Sequence, residues 1–224
     1  MQGLYQYIEK KISSLDTDIY TKASMVAMSH AVEKVVKEYD LYADIYVLFQ
    51  DYEYFLYEKK RYLELDKICR QIFIFAHNIP AAADKAFENT SFIELEADSP
   101  LLDEWAVTVL HPDYSAVLAT KEEAALQRID KEDYRVFKGF LSLENEVVEN
   151  SAAYYHNLLE QRDIAYLKED WQPAELNNKK PEPHKLVSLF VNDSLFELED
   201  KLRRLEEKEM ILDEMAADNK SLSR

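Results

Sequence analysis

Only two glycines, Gly3 and Gly139, occur in 224 residues. Glycine reaches positive φ and lets backbone approach a ligand closely without steric cost, so its scarcity limits what the chain can build. A phosphate-cradling P-loop, a G-x-G-x-x-G dinucleotide turn and a G-x-S-x-G nucleophile elbow all need glycines that are missing here. Tight turns must rely on Pro, Asp and Asn instead. With 47% hydrophobic and 32% charged residues, the chain still has enough apolar material for a real core, which excludes wholesale disorder.

Lys and Arg number 27 against 44 Asp and Glu, a net charge of -17. Such a surface repels phosphate backbones, and no basic cluster exceeds Lys59-Lys60-Arg61, so nucleic acid is not an expected partner. Anionic membrane surfaces are disfavoured for the same reason, and the acidity reads as solubility. The longest apolar runs, Ile45–Phe49 and Ile72–Ala76, are far shorter than the roughly 20 residues of a membrane span. The start, MQGLYQYIEKK, lacks a basic region followed by an apolar stretch, so no secretory signal is read. Cys69 is the only cysteine; it reads as a small buried hydrophobe and fits a reducing compartment. The expected location is the cytoplasm.

Hydrophobic periodicity lays out the body. Met25, Met28, Val32, Val35 and Tyr39 recur at steps of three and four, which predicts a helix over 22–39. A shorter helix over about 3–14 follows from Leu4, Ile8 and Ile12. ADIYVLFQ (43–50) and QIFIFA (71–76) read as buried strands, separated by a helix over 57–69 that allows a parallel crossover. SFIEL (91–95) is a third short strand. Trp105–Leu110 and Tyr114–Thr120, divided by His111-Pro112-Asp113, predict a hairpin. Residues 121–128 read as a short helix or turn, Tyr134–Ser142 as a further strand, and Glu144 to Lys168 as a long helix with Val148, Ala152, Tyr155 and Leu159 on its apolar stripe. Three of the six prolines fall in 170–185, which reads as a linker. Ser194 and Glu197 form a capping box for a last helix in which Leu195, Leu198, Leu202, Leu205 and Leu212 keep heptad spacing, with Glu209 interrupting. The expected fold is α+β: a mixed sheet of about five to six short strands flanked by helices, with a C-terminal heptad helix. The expected divisions are a body over 1–169, a linker over 170–192 and the helix over 193–224.

Chemistry-bearing patterns are sparse. No two of His30, His77, His111, His156 and His184 lie at i,i+3 or i,i+4, so no metal site is expected. No motif marks a nucleophile, and no catalytic residue is assigned. Glu104 and His111 near the hairpin would be the residues of a hydrolase, the weakest alternative. Asp103-Glu104 beside Trp105 reads as a solvated or hydrogen-bonded strand entry, and His111 as a turn histidine. Tyr46, Phe49, Tyr52, Tyr54, Phe55, Tyr57 and Tyr62 crowd one segment. They suit core packing or a ligand pocket, since tyrosine offers an apolar ring and a polar tip. The residues put forward for such a pocket are Phe49, Arg61, Tyr62, Glu104, Trp105, His111 and Arg135.

The order of segments resembles the DICT domain, a sensory module of bacteria and especially cyanobacteria. The resemblance is carried by Lys22-Ala23-Ser24-Met25 through Ser29-His30-Ala31-Val32-Glu33, the ADIYVLFQ strand, the Arg61-Tyr62 pair and the QIFIFA strand. It continues through Ser99-Pro100-Leu101-Leu102, Glu104-Trp105 with the hairpin, and Asp133-Tyr134-Arg135-Val136-Phe137-Lys138-Gly139-Phe140, covering about residues 20–165. Glu104-Trp105 followed by Arg135–Phe140 is its most specific part. The resemblance implies a non-catalytic α+β sensory domain coupled to cyclic-di-GMP or two-component output, with a diguanylate cyclase or histidine kinase as partner. No cofactor is predicted and no ligand contacts are carried over from the family; an unknown small ligand or a non-covalent chromophore is left open. Family members usually precede an output domain and none follows here, so a stand-alone partner subunit or a fragment is expected. The heptad helix either pairs with a second copy as a homodimer or packs on its own body. A ligand-free interaction adaptor is the other alternative.

Overall fold

The computed structural model describes residues 2–127, 134–168 and, between 187 and 211, all but 189, 190, 193, 194, 197 and 201. Among the described residues, seven strands form one mixed sheet, one more than the upper expectation. In chain order the elements are α1 (Leu4–Lys11), β1 (Asp18–Thr21), α2 (Lys22–Glu38), β2 (Asp44–Asp51), α3 (Tyr52–Leu65), β3 (Gln71–His77), β4 (Thr90–Glu94), β5 (Glu104–Leu110), β6 (Ala116–Glu122), β7 (Val136–Ser142) and α4 (Asn145–Glu160). The strand order is β1-β7-β6-β5-β2-β3-β4. β2, β3 and β4 run parallel, while β2–β5, β5–β6, β6–β7 and β7–β1 are antiparallel. The predicted parallel crossover and the predicted hairpin are both present. The extra strand is β1, four residues of edge with mostly exposed side chains, too short and too polar to leave a periodic signal.

Side-chain alternation divides the core into two layers. Tyr46, Leu48, Phe73, Phe75, Ala106 and Leu110 point to one face, where α1 and α4 cover them. Ile45, Val47, Phe49, Ile72, Ile74, Val107 and Val109 point to the other, packed with residues of α2 and α3 such as Val32, Val35, Phe55 and Tyr62. Cys69 lies buried in this second layer, and burial pushes its thiol well above the ordinary value.

The structure turns without glycine where glycine is usual. Among the described residues, the left-handed ones are Asp40, Asn78 and Asp163, and neither glycine has positive φ. Asp163 ends α4: its N–H donates to the Glu160 carbonyl and the Ile164 N–H to the Leu159 carbonyl, a Schellman closure. Asp40 and Leu41 close α2 on Lys37 and Val36 in the same way. Helix α4 therefore stops near Glu160 rather than Lys168, a correction made by the Asp163 turn. Helix α3 begins at Tyr52, five residues earlier than expected, because the Asp51 side chain caps it by accepting the Glu53 N–H.

Both glycines mark close approaches instead. A Cβ on Gly139 would lie 2.3 Å from the Ala119 carbonyl oxygen, and one on Gly3 would lie 1.9 Å from Glu104 Oε1. The described residues between 187 and 211 are helical. Ser194, Glu197 and Leu212 lie outside the described residues, as do most of the 170–192 linker residues.

Candidate functional site

A crevice lies at the sheet's carboxyl end on the α2/α3 face. It opens where β2 ends and the first turns of α2 and α3 come together, a position at which open α/β sheets gather ligands. Its walls are Lys22 and Val26 of α2, Phe49 of β2, Glu53, Tyr54, Tyr57 and Glu58 of α3, and Trp105 of β5. They enclose about 580 Å³, a size that suits a small organic molecule.

Two of these rings, Trp105 and Tyr54, are held by neighbouring groups. Trp105 donates its indole N–H to Ser29 Oγ at 3.2 Å, and Ser29 in turn donates to the Met25 carbonyl, which ties the ring to α2. Tyr54 carries two cations near its ring: the Lys22 ammonium at 5.7 Å and the Arg135 guanidinium at 5.5 Å from the centroid. Arg135 is itself held by Glu122, with Nε–Oε1 at 2.9 Å, and by Gln50.

Beneath the cleft, a buried charge network joins α2 to α3. Glu33, almost fully buried, accepts from the Tyr62 hydroxyl and forms an ion pair with Arg61. Arg61 NH1 reaches Glu58 Oε2 at 2.8 Å, and His30 Nε2 stands 3.4 Å from Glu58 Oε1. Burial alone would raise the Glu58 carboxyl, but the His30 hydrogen bond and the Arg61 charge hold it below its ordinary value. Burial would likewise lower Arg61, and Glu33 and Glu58 outweigh it. Tyr62 is pushed well above its ordinary value by burial and by the Glu33 charge. Glu58 is the member that both lines the cleft and belongs to the network.

The seven pocket residues put forward from sequence do not all meet. Phe49 and Trp105 line the cleft, while Arg61, Tyr62 and Arg135 stand directly behind its walls. Glu104 precedes Trp105 in the same strand and so faces the opposite side of the sheet. There it is 2% exposed and accepts the Tyr5 N–H at 3.3 Å, under the first turn of α1. Burial raises its carboxyl to about 8, against the pull of the Tyr5 and Leu4 N–H groups. α1, not the neighbouring Trp105 ring, is what covers it. His111 follows the far end of β5, seven residues and about 23 Å along the strand from Glu104, and lines a separate hollow of about 230 Å³ with Pro112, Ser115 and Glu149. Its Nδ1 accepts the Asp113 N–H at 3.0 Å, as a turn histidine does. Glu104 and His111 therefore cannot serve one reacting centre. Among the described residues, no group of three or more His, Cys, Asp or Glu side chains could hold a metal ion.

Sequence reasoning missed Lys22, Val26, Glu53 and Glu58, and named Tyr54 and Tyr57 only as part of an aromatic crowd. The available signal was the Asp51 cap: it sets the start of α3, and with that the face on which Glu53, Tyr54, Tyr57 and Glu58 cluster.

At the other end of β2, the segment leaving the body is tied down. Gln71 Nε2 donates to the Leu167 carbonyl at 2.9 Å, and the Leu167 N–H donates to Gln71 Oε1 at 2.8 Å. Tyr166 stacks on His156 with centroids 4.5 Å apart, and His156 Nε2 is 2.7 Å from the Tyr46 hydroxyl. Gln71 also donates to Asp44, the first residue of β2, which is paired with Arg70. No helix among the described residues is long and apolar enough to cross a membrane.

The family described as DICT, "Sensory domain in DIguanylate Cyclases and Two-component system", matches residues 2–123. No curated protein matches the chain, and no solved structure matches it. The matched span contains every residue lining the cleft and the Glu104-Trp105 step; Arg135–Phe140 and α4 lie beyond it. With more than half of its length inside the match, the chain belongs to the DICT family of sensory domains.

Proposed function

We propose that this chain is a non-catalytic bacterial signalling module. It binds a small ligand in the α2/α3 cleft and passes the bound state through its C-terminal helix to a diguanylate cyclase or a histidine kinase. The observation that carries the reading is the cleft: a roomy, aromatic-walled crevice backed by a charge network that couples two helices. Family membership supports a sensory role, since the DICT domain is described from diguanylate cyclases and two-component systems. The C-terminal helix supports a relay surface. Leu195, Leu202 and Leu205 are 53%, 60% and 61% exposed, so these three seam leucines are unburied and suit pairing with a second copy or an output protein.

Thermal unfolding in the presence of nucleotides and small aromatic metabolites tests the ligand. A ligand at 100 times its Kd adds about 2.7 kcal/mol, which for a body of this size is a rise of roughly 5–11 °C in Tm. The rise should vanish in Trp105→Leu. If nothing in a broad panel shifts the wild-type Tm, the ligand reading is wrong. The exposed seam also favours a second reading, an adaptor that needs no ligand. Deleting residues 193–224 separates the two, because an adaptor loses its partner while a sensor body keeps its ligand.

A further inference from the structure

We infer that the α2/α3 cleft selects an organic cation with a flat apolar body, an aromatic or heteroaromatic amine or quaternary ammonium. This rests on the reading of the cleft as the ligand site. Four rings, Phe49, Tyr54, Tyr57 and Trp105, contribute to its walls. Aromatic faces attract cations through their quadrupole, and several converging rings are a common way to hold an ammonium group. The protein already uses this chemistry at the site: the Lys22 ammonium and the Arg135 guanidinium both stand within 6 Å of the Tyr54 centroid.

The charges agree. The cleft lining holds two carboxylates, Glu53 and Glu58, and one ammonium, Lys22. The neighbouring guanidiniums are neutralised, Arg135 by Glu122 and Arg61 by Glu33 and Glu58. Glu58 shares its charge with Arg61 and His30, so Glu53, exposed on the first turn of α3, is the carboxylate that faces an incoming ligand. An anion would also have to approach against a net charge of -17. The volume of about 580 Å³ leaves room beside a charged head for a ring system that stacks between Trp105 and the tyrosines.

The probes are benzyltrimethylammonium and benzenesulfonate, which share the ring and differ in the sign of the charge. Trp105 is the reporter, in the full chain with Trp171→Phe so that it is the sole indole. Benzyltrimethylammonium should quench it saturably, at least five-fold tighter than benzenesulfonate and more weakly at high salt. Glu53→Gln and Tyr57→Ala, both exposed positions whose replacement leaves the core intact, should each weaken binding at least three-fold. Equal or tighter binding of benzenesulfonate, unchanged affinity in Glu53→Gln, or no response to either probe overturns the cation assignment. The ligand panel then tells the two failures apart. A neutral or anionic compound that stabilises wild type but not Trp105→Leu removes only the ligand class, whereas a silent panel removes the cleft as a ligand site.

Discussion

Glu104→Gln is the sharpest physical test of the fold. Glu104 sits at the start of β5, 2% exposed, with its carboxyl under the first turn of α1. A helix N-terminus favours a carboxylate by at most about 2 kcal/mol. Burial outweighs that pull and lifts the group from 4.5 to about 8, with Lys121 lowering it and Asp103 raising it as lesser influences. The sign follows from the raised value. Below 4.5 the carboxyl is protonated in both folded and unfolded chains, and its contribution is fully present. Between 4.5 and about 8 the unfolded chain releases the proton and the folded chain keeps it. Stability then falls by about 1.4 kcal/mol per pH unit from this group alone. Across the window the loss is on the order of 3–6 kcal/mol. Glutamine has the same shape, keeps an acceptor for the Tyr5 N–H and cannot ionise. Urea unfolding followed by far-ultraviolet circular dichroism at pH 5, 6, 7 and 8 gives the difference between wild type and variant, in which the titration of the other acids cancels. The difference should move in favour of Glu104→Gln by several kcal/mol from pH 5 to pH 8. Parallel stability curves would show that Glu104 titrates as an ordinary carboxyl and would refute the buried, neutral assignment.

Three further outcomes are expected. Gly3→Ala places a Cβ 1.9 Å from Glu104 Oε1, so the buried carboxyl or α1 must move; a loss of about 1–3 kcal/mol in urea unfolding is expected. Asp163→Gly relieves a left-handed aspartate at φ 54° and should raise stability by about 0.5–1 kcal/mol in the same assay, with Asp40→Gly behaving alike. Gln71→Ala removes both hydrogen bonds to Leu167, and limited proteolysis should then cut near residues 164–168 earlier than in wild type.

Much of the architecture was legible because its causes are local. The Met25–Val35 stripe and the Val148–Leu159 stripe appear as helices, and ADIYVLFQ and QIFIFA appear as the parallel pair β2 and β3. What escaped depends on single residues or on tertiary meetings. The end of α4 hangs on one left-handed aspartate, and the start of α3 on one capping aspartate. β1 exists because β7 offers it an edge, and nothing in Asp18–Thr21 alone requires a strand. The cleft is the clearest case. Its residues come from α2, β2, α3 and β5, and their meeting is a property of strand order, which periodicity does not encode. Glu104 and Trp105 could have been separated on sequence, since neighbours in a strand face opposite ways. Grouping both in one pocket neglected that rule.

The family match ends at residue 123, directly after β6, yet the folded unit continues past it. β7 lies between β6 and β1, so the strands on both sides of it are inside the match while its own residues are outside. α4 supplies Val148, Ala152, Tyr155 and Leu159 to the layer beneath α1, and Tyr155 stacks between Tyr46 and Phe75. The body therefore extends at least to Leu167, where Gln71 ties the exit segment to the start of β3. β2 connects this tie to the cleft. Its carboxyl end carries Phe49 and Gln50, the latter bound to the Arg135 that stands over Tyr54; its amino end carries Asp44 and Tyr46, which hold Gln71 and His156. β2 is paired on both sides and buried through Phe49, a stiff element spanning from cleft to exit. Coupling free energies between sites are typically about 1–3 kcal/mol. Two side-chain hydrogen bonds are worth about 1–3 kcal/mol net. The Gln71–Leu167 tie is thus of the size that a cleft ligand could open or tighten, and the relay proposed above needs no larger rearrangement of the sheet.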